Sequence, residues 1–131
     1  MAVRRREVGN AVVLSLQGSF FGDLETDELQ AAILEEVSSG NTRLVLNLEE
    51  CQALNSMSIG ILVRALANYR RRGGEVKLCG LGKRIQDLFA MIGLNTLFEY
   101  HGAEAQALAS FDAAAGAPSR PAGSGRRDSS A

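Results

Sequence analysis

The residues able to do chemistry are few. One histidine, His101, and two cysteines, Cys51 and Cys79, are the strongest metal ligands in the chain. A structural zinc site needs four clustered ligands, so no metal is expected. Two lone cysteines also exclude a disulfide-dense scaffold. A Ser/His/Asp triad would have to use His101, and no nucleophile-elbow pattern accompanies it, so it is read as an exposed or edge histidine. Gly80-Leu81-Gly82-Lys83 is too short to cradle the phosphates of a nucleotide. The carboxylate pairs Glu25/Asp27/Glu28, Glu35/Glu36 and Glu49/Glu50 fall on helix starts or loops, where they act as dipole partners or solvated faces. The expectation is a protein without catalytic residues or cofactor, and not an enzyme.

One stretch stands apart, Leu54 to Leu62, LNSMSIGIL, which joins a buried strand to a helix. Its small polar residues Asn55, Ser56 and Ser58 occupy the helix start, and their spacing admits two readings. In one, Asn55 or Ser56 is the N-cap, accepting a hydrogen bond from an unpaired backbone N–H. In the other, a serine hydroxyl on the first turn is open to modification. A phosphate there would face free N–H groups and the positive end of the helix dipole, and would add about −1.5 to −2 charges to the surface.

The elements that must hold this stretch follow from hydrophobic periodicity. Val3 to Val8 is basic and short, an edge strand, and Gly9-Asn10 turns it into a second strand over Ala11 to Gln17. Gly18 to Gly22 reads as a loop. A helix runs from about Leu24 or Thr26 to Ser38, with Leu29, Ala32, Ile33, Glu36 and Val37 at helical spacing. Arg43 to Leu48 reads as a buried central strand and Glu49 to Leu54 as a loop. Ser56 to Arg72 is a long helix whose stripe is Ile59, Leu62, Leu66 and Tyr69, stopped by Gly73-Gly74. Glu75 to Cys79 is a strand with Val76 and Leu78 on one face. Lys83 to Ile92 is a helix with Ile85, Leu88, Phe89 and Ile92 inward, and Gly93 is its left-handed C′ residue. A short strand over Leu97 to Tyr100 and a helix over Ala103 to Phe111, with Ala107, Leu108 and Phe111 inward, complete the pattern. Strands alternating with helices predict an α/β domain: a mixed sheet of four or five strands with about four helices packed against it.

At 131 residues the chain is one domain. Residues 1–111 form it, and 112–131, DAAAGAPSRPAGSGRRDSSA, offer too little apolar area to order and read as a disordered tail. The net charge of −1 leaves no basic excess to neutralise phosphates, which argues against nucleic acid as partner. MAVRRREVGN has no apolar region after its arginines, and no apolar run approaches about 18 residues. The expectation is a cytoplasmic protein with no membrane insertion.

The order of these features resembles a STAS domain of the bacterial anti-sigma factor antagonist type, over about residues 3–111. The family pattern runs from a strand through Asp-Ser-Ser/Thr-Gly-Leu-Gly into a helix ending in Gly-Gly, then a strand, a helix and a Gly-Leu pair. Val45 to Leu48 matches the strand, Asn55-Ser56-Met57-Ser58-Ile59-Gly60 falls on the signature, and Gly73-Gly74 and Gly93-Leu94 match the later glycines. Asn55 stands for the family aspartate, Met57 for the second hydroxyl residue and Ser58 for the first glycine. At Gly18, Ser19-Phe20-Phe21 replaces the rest of the family's Gly-Glu-Leu/Ile-Asp loop.

The resemblance implies an anti-sigma factor antagonist. Unphosphorylated, it binds an anti-sigma factor, a serine kinase of the histidine-kinase-like ATPase fold, and frees the sigma factor. Phosphorylation of the serine after the signature aspartate, here Ser56, releases it, and a serine phosphatase resets the cycle. Ser58 is a rival hydroxyl. The implied partner-binding face comprises Gln52, Ala53, Leu54, Asn55, Ser56, Met57, Ser58 and Gly60, with Met57 turned outward and Ile59 inward. The alternative is a STAS scaffold or accessory subunit that works without phosphorylation, for example of a lipid-transport ATPase.

Overall fold

The computed structural model describes residues 2–116, and side chains as far as Asp112. Five strands form the main sheet: β1 (Val3–Val8), β2 (Ala11–Leu16), β4 (Arg43–Asn47), β6 (Glu75–Cys79) and β7 (Glu99–His101), in the order β1-β2-β4-β6-β7. β1 runs antiparallel to β2, and every other neighbour in the sheet is parallel. This is the mixed sheet that a hairpin followed by βαβ units requires, because only parallel strands need a crossover helix. The apolar run of β4 lies at its centre, with Leu44, Val45 and Leu46 fully buried.

Alternation along the strands gives each face its own core. On one face Val12, Leu14, Leu16, Leu44, Leu46, Val76 and Leu78 pack with Leu29 and Ile33 of α1 (Asp23–Ser38), Leu62, Leu66 and Tyr69 of α2 (Ser56–Arg71), and Ile85 and Phe89 of α3 (Lys83–Met91). On the other, Val13, Val45 and Cys79 meet Ala107 and Phe111 of α4 (Glu104–Gly116). The sheet is therefore sandwiched by helices, three on one side and one on the other.

Several boundaries differ from the expectations. Gly18 to Gly22 and Glu49 to Leu54, read as loops, contain β3 (Gly18–Phe20) and β5 (Cys51–Leu54), which pair in parallel as a separate two-stranded sheet. Strands of three and four residues carry too few inward side chains to show a period, so the sequence gives no alternation to read. The α2 stripe is wider than four residues, since Ile61 and Ala65 are buried beside Leu62, Leu66 and Tyr69 while Ile59 is half-buried at its margin. Ile92 is not an inner residue. It is the C-cap of α3 and half exposed, because the chain leaves the helix at Gly93, whose φ of 83° carries it away from the inner face. The last strand starts at Glu99 because a 3₁₀ turn occupies Leu94–Thr96. α4 runs on through Asp112, which pairs with Arg43, to Gly116, so the described part of the expected tail, 112–116, is helical. Its remainder, 117–131, lies outside the described residues.

His101 sits on edge strand β7 and pairs with Glu99, which also holds the buried Lys77 at 3.0 Å. Burial pushes the Glu99 carboxyl up, but the His101 and Lys77 hydrogen bonds and the Lys77 charge outweigh it and bring it down to about 2. A carboxylate depressed on folding stabilises the fold above its ordinary value and loses that contribution as pH falls toward the folded value. Stability measured by urea unfolding is expected to fall between about pH 5 and pH 2. Glu99→Gln should flatten that decline, and an unchanged acid limb would show that the pair contributes nothing.

Candidate functional site

The strand-to-helix turn after β5 is built on a reciprocal cap. Asn55 adopts extended backbone, φ −103° and ψ 178°, and is the N-cap of α2. The Ser58 N–H donates to Asn55 Oδ1 at 2.9 Å, and the Asn55 N–H donates to Ser58 Oγ at 3.0 Å. The Ser58 hydroxyl in turn donates to the Asn55 carbonyl at 2.9 Å. This is a capping box with serine in the place usually taken by glutamate or glutamine. Of the two N-cap candidates in the sequence, Asn55 takes the role and Ser56 is left with a free hydroxyl. Asn55→Ala should cost about 0.5–2 kcal/mol of stability, read from chemical denaturation, through loss of that cap.

The cap sorts the two serines. Ser58 is 0% exposed and its hydroxyl is committed on both sides. Ser56, the first helical residue, is exposed, and among the described residues its hydroxyl has no hydrogen-bond partner. The Ser58 and Ile59 N–H groups go to Asn55, leaving those of Ser56 and Met57 open at the positive end of the helix. The first turn of α2 contains no acidic side chain.

The rest of the expected face divides by exposure. Gln52, Ser56 and Met57 are exposed, Met57 by 61%. Ala53, Asn55 and Gly60 are half-buried, while Leu54 and Ser58 face the core and could contribute only by placing their neighbours. The strand pair β3/β5 positions this turn: Phe20 and Leu54 are in register and both buried. Asn55 Nδ2 also donates to the Phe21 carbonyl at 3.2 Å, tying the start of α2 to the connection before α1. Phe21 and Leu24, exposed beside this tie, were not among the expected residues. The signal for Phe21 was the doubled Phe20-Phe21, because adjacent residues of an extended chain cannot both face one core.

Burial pushes both the Cys51 and Cys79 thiols up to about 11, so each is an inert core side chain at neutral pH. Among the described residues no group of three or more His, Cys, Asp or Glu could hold a metal ion. No helix among them is long and apolar enough to cross a membrane.

The family model described as "Mlab, STAS domain" matches residues 3–99, most of the chain. The chain belongs to the STAS-domain family. Among curated relatives it is similar to the putative anti-sigma factor antagonist BtrV of Bordetella bronchiseptica, 23% identical over 114 residues that cover 87% of this chain and 97% of that one. Its fold is similar to the crystal structure of a putative anti-sigma factor antagonist from Thermotoga maritima, with a TM-score of 0.76 and 16% identity over 82% of this chain and 92% of that one. It is also similar to the Bacillus cell fate determinant SpoIIAA in its phosphorylated form, with a TM-score of 0.68 and 19% identity over 84% of this chain and 99% of that one. The fold of this chain is thus the STAS fold that these proteins share.

Proposed function

We propose that this chain is an anti-sigma factor antagonist of the cytoplasm whose binding is switched by phosphorylation of Ser56. The observation that carries the reading is the contrast at the start of α2: an exposed Ser56 hydroxyl on an open helix N-terminus, two residues before a Ser58 locked inside the cap. A kinase can reach Ser56 without disturbing the fold, and reaching Ser58 would require opening the capping box. In its unmodified state the chain binds an anti-sigma factor, a serine kinase of the histidine-kinase-like ATPase fold, through the turn and the exposed residues around it. Phosphate on Ser56 places about −1.5 to −2 charges in that contact and ends it, and a serine phosphatase restores binding. The described structure of phosphorylated SpoIIAA supports the fold's compatibility with a phosphorylated state.

Incubating the protein with ATP and the anti-sigma factor kinases encoded in the same genome, followed by phosphopeptide mapping, tests the site. Label is expected on Ser56 and absent from a Ser56→Ala variant. Label confined to Ser58 or to residues 117–131 would overturn the assignment.

A second reading draws on the description of the matching family model. It makes the chain a STAS accessory subunit that works without phosphorylation, for example beside a lipid-transport ATPase. That reading expects no label and a complex indifferent to Ser56→Glu.

A further inference from the structure

The switch accounts for Ser56 but leaves a group of exposed apolar side chains beside it unused. Phe20 is fully buried at the end of β3, and Phe21, pointing the other way, is 59% exposed. Leu24, in the first turn of α1, is 82% exposed, and Met57, next to Ser56, is 61% exposed. Single exposed apolar residues are ordinary, but these stand on two chain segments that the Asn55–Phe21 hydrogen bond holds together. The family aspartate at position 55 could cap the helix equally well. An ionised carboxylate has no N–H to donate to the Phe21 carbonyl, so the amide of Asn55 is what makes the tie.

The charge on α1, which carries Leu24 and follows Phe21, has one sign. α1 carries Asp23, Glu25 and Asp27 in its first turns and no lysine or arginine anywhere in its sequence DLETDELQAAILEEVS. We infer that Phe21 and Leu24 extend the binding face of Ser56, and that the partner meets them with an apolar pocket rimmed by lysine or arginine. This rests on the reading of Ser56 as the switch and names the chemistry of the surface that reads it. Two other occupants fit less well. A second copy stacking this face on itself would set one acidic helix start against another. Residues 117–131 bring arginines but no large apolar side chain to cover Phe21 or Leu24. Asn55 acts here as a positioning residue, holding the Phe21 connection against the turn.

The test uses the full chain and whichever purified anti-sigma factor of the same genome binds it in a Ser56→Glu-sensitive manner, titrated at low and at high salt. Phe21→Ser combined with Leu24→Ser is expected to weaken binding by about tenfold or more, since truncating central apolar anchors costs most. Its melting temperature should be unchanged, because neither side chain is in the core. Asn55→Asp should keep the cap and the melting temperature, weaken binding to a smaller extent, and add no further loss to the Phe21/Leu24 variant. Wild-type affinity should fall as salt rises.

An unweakened Phe21/Leu24 variant, with Ser56→Glu still releasing the partner, overturns this inference and leaves the switch standing. Salt-independent binding overturns the basic rim. A dimer of the free wild-type chain that the double variant abolishes makes a second copy the occupant and overturns the proposal. If no anti-sigma factor shows Ser56-sensitive binding, the inference and the switch fall together.

Discussion

Ser56→Glu is expected to bind the anti-sigma factor about a hundredfold more weakly than the wild type, and Ser56→Ala to bind as tightly as the unmodified protein whether or not kinase and ATP are present. The partner must desolvate the turn to bury Met57 and the exposed edge of the Asn55-Ser56 step. A carboxylate placed there has no paired cation within this chain's own first turn, and an uncompensated charge in a desolvated contact costs several kcal/mol. A loss of about 2.7 kcal/mol already corresponds to the hundredfold change. The same substitution should leave the fold intact. Position 56 is the first residue of α2, where the dipole favours an anion by about 0.3–1 kcal/mol, and Asn55 and Ser58 cap the helix without using the Ser56 hydroxyl. Titration calorimetry paired with thermal unfolding separates the two effects. Lost binding with a lowered melting temperature would mean that the variant acts by damaging α2, and unaltered binding would remove Ser56 from the interface.

How far this arrangement can be read from sequence depends on how many side chains vote for each element. α2 has sixteen residues and a buried stripe along its length, so its span and its seat on the sheet are legible within a residue. The central strand β4 is legible for the same reason, as an unbroken apolar run between turn residues. β3 and β5 are not, since their pairing rests on backbone hydrogen bonds and on Phe20 and Leu54, and nothing in a triplet such as Gly-Ser-Phe marks a strand. The site shows the same division. A helix start rich in small polar residues is plain in Asn55-Ser56-Met57-Ser58, but which residue caps and which is free depends on rotamers that only the folded turn selects. Ser58 reads as a rival of Ser56 in the sequence because composition records a hydroxyl and not its burial. Ile92 looked internal because helical spacing continues past the point where Gly93 ends the helix. The bond from Asn55 to Phe21 joins residues 34 apart, and its donor is a side chain whose partner is a backbone carbonyl, a contact that no residue type announces.

Leu62→Ala is expected to remove about 2–5 kcal/mol of stability. Leu62 is fully buried on the inner face of α2, in the core that the sheet shares with α1 and α3. Truncation loses the transfer free energy of its methyl and methylene groups and leaves a cavity that a helix fixed at both ends cannot close. One end is held by the capping box at Asn55 and the other by the Gly73-Gly74 turn, where the Gly74 N–H donates to the Tyr69 carbonyl at 2.8 Å. Domains of this size have roughly 5–15 kcal/mol to lose. At about 4–8 °C per kcal/mol, the melting temperature should fall by at least about 8 °C. Leu24→Ala, on the exposed side of α1, should change stability by no more than about 0.5 kcal/mol and serves as the control. Because the cavity lies away from the turn, Leu62→Ala measured at a temperature where it is still folded should bind the partner with wild-type affinity. That outcome separates the two tasks of α2: its inner face seats the helix and its first turn carries the signal. Wild-type melting of Leu62→Ala would place the helix wrongly on the sheet, and weakened binding by the folded variant would show that the core beneath α2 sets the geometry of the Ser56 turn.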